Sequence, residues 1–261
     1  MADAALKPFA NRSDLFSVVL ALADDHLILG HRVSEWCGHA PMLEEDLSMP
    51  NMALDLIGQA RNLYAYAGTL EGAGRDEDAL AYLRLDRDYT NLLLVERPNG
   101  DFAHTMLRQF YFAAFMEPFW AWMAQKSVDE TLKAIAAKAQ KEAAYHLRHS
   151  SEWVIRLGDG TEESAWRMGA AVEALHIYTD ELFAMNADYQ ACLANGVVPD
   201  LETVRVTWQA GVDAVFGQAF LTAPEVEFPQ RGGRDGLHTE DFGHLLAELQ
   251  YMQRAYPGLQ W

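Results

Sequence analysis

The sequence predicts an all-α protein, on three observations. Apolar residues recur at spacings of three and four over several long segments. Strand-like alternation is nearly absent. Ser, Thr and Asp stand where the periodic segments begin, and Gly or Pro where they end. The first helix spans about 14–37, with Leu15, Val18, Leu22, Leu29, Val33 and Trp36 on a shared seam and Gly38 and Pro41 beyond its end. The second spans about 43–70. Its apolar residues lie on most faces, which predicts a central, largely buried helix kinked at Pro50. A shorter helix over 76–88 follows the turn at 71–74. Pro98-Asn99-Gly100 is a turn, and Asp101 caps a helix over 102–126. Ser127 and Glu130 read as a capping box opening a helix that reaches Gly158. Thr161 caps a helix running towards 195–196, and Pro199-Asp200 start another to about Leu221. Residues 222–238 are rich in Gly and Pro and read as a loop. Thr239 caps a final helix ending near 257–258.

The composition limits the function. The chain has 261 residues, half of them hydrophobic, enough for a sizeable core without disulfides or a structural metal. With 20 Lys and Arg against 38 Asp and Glu, the net charge is -18. Such a surface repels phosphate, so nucleic acid and anionic membranes are not expected partners. Cys37 and Cys192 form no CxxC motif, which fits a reducing compartment. The apolar run 15–23 stops at Asp24-Asp25, too short to cross a bilayer. A cytoplasmic location is expected.

Helices 14–37 and 43–70 form one expected hairpin, and 102–126 and 128–157 another. A longer crossover joins them. This is a ferritin-like four-helix bundle core, with additional C-terminal helices. A di-iron site in such a bundle takes a carboxylate from each of two helices and Glu-x-x-His from each of the other two. The corresponding positions here are Asp25, Asp55 with Gly58, Gln109, and Glu142 with Tyr145. Asp25 and Asp55 are 30 residues apart, and Gln109 and Glu142 are 33, as facing points on paired helices require. Neither histidine is present and one carboxylate is an amide, a poor donor set for iron. These residues are either ordinary polar groups bonded inside a bundle or remnants of a lost site. No metal is expected on either reading.

Other motifs are weaker. Glu173-Ala174-Leu175-His176 is one intact Glu-x-x-His without a second copy. His146 and His149 share a helix face, whereas His31 and His39 straddle a helix end. The glycine-rich stretch 232–236 lacks a preceding strand and a GK[ST], so it reads as a turn. Arg231 and Arg234 beside it are candidates for an acidic partner or a phosphate. Between Phe110 and Trp122, the residues Phe110, Tyr111, Phe112, Phe115, Phe119, Trp120 and Trp122 place aromatics on more than one helix face. They read as core, or as core on one face and an interface on the other.

Several segments resemble the C-subunit family of ring 1,2-phenylacetyl-CoA epoxidases (phenylacetyl-CoA monooxygenases). They are Glu35-Trp36-Cys37-Gly38-His39-Ala40-Pro41, the stretch from Asp55 to Asn62, Asn91 to Gly100, Lys141 to Arg148, and the tail from Gly236 to Trp261. The likeness runs through nearly the whole chain. It implies a variable extension over 1–12 and a single ferritin-like domain over 13–261, without a working di-iron centre. It implies no catalytic, cofactor-binding or metal-ligating residue in this chain. The implied partner is a related catalytic A subunit that holds the di-iron centre and the CoA thioester. A small B subunit and a reductase with FAD and an iron–sulfur cluster complete a system that uses O2 and NADPH. The competing expectations are an independently active di-metal oxygenase, which needs ligands such as Glu173 and His176, and a metal-storage bundle.

Overall fold

The computed structural model describes residues 13–259, so the expected extension over 1–12 lies outside the described residues. The described chain is all-helical. Helix α1 (Asp14–Ser34) starts where the Ser13 side chain accepts from the Phe16 N–H. Helix α2 (Leu43–Glu71) contains Pro50 and ends on Gly72 at φ 66°, the left-handed cap that glycine supplies without strain. Helices α3 (Glu77–Tyr82) and α4 (Leu93–Glu96) are short. Helix α5 (Phe102–Lys126) begins at the expected cap, Asp101. Helix α6 (Glu130–Gly158) begins one residue after Asp129. After it come α7 (Glu162–Leu175), α8 (Ala187–Ala194), α9 (Leu201–Gln218) and α10 (Glu240–Ala255).

The two long hairpins form as expected. α1 packs along α2, α5 along α6, and α2 lies beside α6. Rings join α1 to α5: His26 lies 5.3 Å from Phe112 and 5.7 Å from Trp120, centre to centre. α7 and α9 cover α5 from its other side, and α8 leans on α1. The buried apolar side chains form one cluster from Phe16 to Leu246.

Several expectations need correction. The largely buried long helices are α1 and α5, not α2. Phe110, Tyr111, Phe112, Phe115, Phe119 and Trp120 are all buried within this chain, and Trp122 is half-buried against the core. No aromatic face of α5 is left for a partner. α2 instead exposes Leu43, Leu47 and Leu54. The box at Ser127 does not form. Ser127 Oγ donates to the Val197 carbonyl, and Asp129 accepts from the Leu132 N–H at 2.8 Å.

The segment 76–88 is α-helical only to Tyr82 and helical again as a 3-10 turn at Asp86–Asp88; between them Arg84 is drawn into the core to meet Asp24. The helix from Thr161 breaks after Leu175 into a 3-10 stretch, His176–Phe183, before Asn186 caps α8. That break lets Glu181 turn inward. Its carboxylate accepts from the Leu93, Gly232 and Gly233 N–H groups, each at 2.8 Å. Thr239 precedes α10 without a side-chain cap; its N–H donates to Glu96 Oε1 at 2.6 Å.

Candidate functional site

Two groups of buried polar residues flank α1. α1 is buried on nearly all of its circumference, so its seam alone does not show which polar residue faces the bundle centre. The structure resolves this by one residue. His26 faces the other long helices, and Asp25 points away from them.

On the far side of α1, four buried carboxylates are met by the chain's own donors. Asp24 accepts from Tyr64 Oη at 2.6 Å, from the Thr90 N–H at 2.8 Å, and from Arg84. Asp25 accepts from Arg234 Nη2 at 2.7 Å and from the Leu92 N–H at 2.8 Å. Glu96 accepts from Asn91 at 2.9 Å and faces His238 Nδ1 at 2.7 Å. Glu181 fills the nest of backbone N–H groups at Gly232 and Gly233. A Cβ at Gly233 would overlap the Asn91 carbonyl, so the close approach requires glycine there. The glycine-rich turn and Arg234 therefore bind the chain's own carboxylates, not a phosphate. Arg231 pairs with Asp180.

The titrations here follow from burial. Burial pushes Asp25 up to about 6, although Arg234 and the Leu92 N–H pull the other way. Burial also opposes the charge on His238, but the hydrogen bond and field of Glu96 outweigh it and raise its pKa.

On the bundle side stand His26, Gln59, Glu142, His146 and Asp55. His26 Nδ1 lies 2.7 Å from the Leu22 carbonyl, which only accepts, so this nitrogen carries the proton. Burial pushes His26 down to about 4 and keeps the ring neutral. Gln59 Nε2 donates to Glu142 Oε2 at 2.8 Å. Lys138 Nζ meets the other Glu142 oxygen at 3.1 Å. His146 Nε2 lies 3.2 Å from Asp55 Oδ2. Gln109 is buried, and neither amide atom has a hydrogen-bond partner. It faces α6 level with His146: Phe102 packs edge-on against Trp153, and each residue of the second pair lies two turns from its counterpart in the first.

Of the six sequence positions, Asp55 and Glu142 therefore join the bundle-side set, and Gln109 faces it. Asp25 belongs to the other network. Gly58 and Tyr145 lie on the outer surface, where Tyr145 rests against the rings of His146 and His149. The i, i+4 pairs Asp55–Gln59 and Glu142–His146 take the places that i, i+3 spacing pointed to. The donor set does not fit a di-iron pair: it offers two carboxylates, each engaged by neighbouring side chains, and an amide at Gln109. Among the described residues, no three His, Cys, Asp or Glu side chains are placed to hold a metal ion.

The remaining candidates separate. His176 Nδ1 lies 3.0 Å from Tyr111 Oη, and Glu173 is exposed. His149 meets Glu45 and Ser48. His31 is half-buried and His39 exposed. Cys37 is exposed and Cys192 buried, both free. No helix of the described residues is long and apolar enough to cross a membrane.

The family model described as "Phenylacetic acid catabolic protein" matches residues 1–261. The chain belongs to this phenylacetic acid catabolic protein family. Within it, the chain is 46% identical over 249 residues to the C subunit of 1,2-phenylacetyl-CoA epoxidase from Escherichia coli (strain K12), covering 95% of this chain and 100% of that protein. The family resemblance carried by the sequence segments is thus correct. Sequence reasoning missed His26, Gln59, Arg84, Glu96 and Glu181. One signal was visible: the triplet Asp24-Asp25-His26 interrupts an apolar helix, and polar residues inside such a run are held by buried partners.

Proposed function

We propose that this chain is the non-catalytic structural subunit of a cytoplasmic phenylacetyl-CoA epoxidase complex, built as a ferritin-like bundle. The observation that carries the reading is 46% identity to the C subunit of a 1,2-phenylacetyl-CoA epoxidase, along that protein's whole length. The state of the polar interior supports it. Asp25, Asp55, Glu142 and His146 are each engaged with a neighbour in the chain, and Gln109 brings an amide where a di-iron pair needs a carboxylate. The catalytic partner is a related A subunit with the di-iron centre, served by a small B subunit and a reductase carrying FAD and an iron–sulfur cluster. This chain binds the folded form of its partner and so stabilises it by mass action.

Expression of the A subunit with and without this chain tests the reading. With both present and the reductase supplied, phenylacetyl-CoA is turned over and the two proteins elute together. Full activity of the A subunit without this chain would overturn the structural role.

A further inference from the structure

Helix α2 turns one face away from the rest of the chain, and an apolar stripe runs along that face beside the exposed Glu44 and Asn51. Leu43, Leu47, Pro50, Leu54 and Ile57 follow one another at spacings of four, three, four and three. This heptad spacing aligns a stripe for packing against another helix. Yet Leu43, Leu47 and Leu54 are 70%, 61% and 67% exposed.

The neighbouring surface of α6 carries positive charge on an otherwise acidic protein. Lys138, Lys141, Tyr145 and Arg148 lie along it. Tyr145 stands level with the middle of the α2 stripe. Its ring lies 6.1 Å from that of His149, which meets Ser48, and 6.0 Å from that of His146, which meets Asp55. Lys138 is paired with Glu142 of its own helix, and Arg148 lies over the Tyr145 ring at 5.7 Å. Among the described residues, no carboxylate forms an ion pair with Lys141 or Arg148.

Gly58 adds an independent observation. A Cβ built at this mid-helix glycine meets nothing within 4 Å. Packing inside the chain therefore does not call for glycine, although glycine weakens a helix. A glycine at the edge of an apolar stripe leaves room for a close approach from outside.

We propose that the α2 face from Leu43 to Gly58, with Tyr145, Lys141 and Arg148 of α6, is the surface on which the catalytic A subunit docks. The partner presents an apolar helix at heptad spacing, with carboxylates beside it to meet the two cations. The assignment rests on the structural-subunit reading above and names the surface that reading leaves open.

The test co-expresses tagged A subunit with the L47D/L54D double variant, the K141E/R148E double variant and Gly58→Leu. Tyr251→Asp, on the exposed face of α10, is the control. L47D/L54D loses co-purification, an affinity loss of roughly 100-fold, since two central apolar anchors are removed. K141E/R148E weakens binding and flattens its salt dependence. Gly58→Leu raises the melting temperature of the isolated chain while weakening the complex, a split that a merely structural role would not give. Melting curves of the isolated variants establish that each is folded. Wild-type co-purification by folded L47D/L54D would overturn the assignment. So would a change from dimer to monomer in that variant with A-subunit binding intact, which would give the stripe to a second copy of this chain. Failure of the wild-type chain to bind the A subunit would instead remove the structural-subunit reading itself, and the docking assignment with it.

Discussion

The Asp25–Arg234 pair shows how one buried carboxylate can fix a distant loop. Both Arg234 Nη atoms reach Asp25, and Nη1 also donates to the Thr90 carbonyl at 2.7 Å, so three segments meet at one guanidinium. Arg234→Ala leaves the buried Asp25 carboxyl group without its partner, which costs about 3–5 kcal/mol. Urea unfolding of the variant measures this loss, and an unchanged midpoint would contradict the role. His26 gives a pH dependence. Its folded pKa, about 4, lies below the ordinary 6.5. Its contribution is therefore present above pH 6.5 and is lost as pH falls towards 4, by roughly 3 kcal/mol. Asp25, raised to about 6, works the other way between 3.8 and 6. Comparison of wild type with His26→Gln cancels the Asp25 contribution. The wild type loses the larger share of stability on acidification, and parallel pH profiles would count against a buried neutral His26.

At the scale of elements, the long helices were legible because period and caps agree. Asp101, Thr161 and Asp200 each accept the expected first-turn N–H. The segments misread as continuous helix, around 83–88 and 176–186, are held by long-range contacts. Arg84 is drawn to Asp24 from 60 residues away, and Glu181 to Leu93 from 88. No local pattern announces such pairs. The register of α1 was hidden for a related reason. A helix covered on all sides has no polar face to calibrate it, so Asp25 and His26 compete for the same position. The end of α9 carries a strained cap: Phe220 has φ 55° and is 78% exposed, and the Leu221 N–H bonds back to the Phe216 carbonyl. Left-handed backbone costs a residue with a Cβ about 1–2 kcal/mol. Phe220→Gly therefore stabilises the chain by about 1 kcal/mol, after allowance for the greater freedom of glycine when unfolded. Thermal unfolding of the two proteins checks the sign.

For the molecule as a whole, the sequence positions for a di-iron site fall into three environments instead of one. Asp25 serves the C-terminal loop, Asp55 and Glu142 tie α2 to α6, and Gly58 and Tyr145 look outwards. Spacing could place each residue on its helix but not fix how the helices rotate against one another, and rotation decides which side chains meet. Family membership, by contrast, was legible because ordered segments through most of the chain carried it. The most direct test of the central claim is iron content and phenylacetyl-CoA turnover, measured on the isolated chain and on its complex with the A subunit. The account predicts substoichiometric iron and no turnover in the isolated chain, with iron and activity in the complex. Stoichiometric iron with turnover in the isolated chain would contradict it.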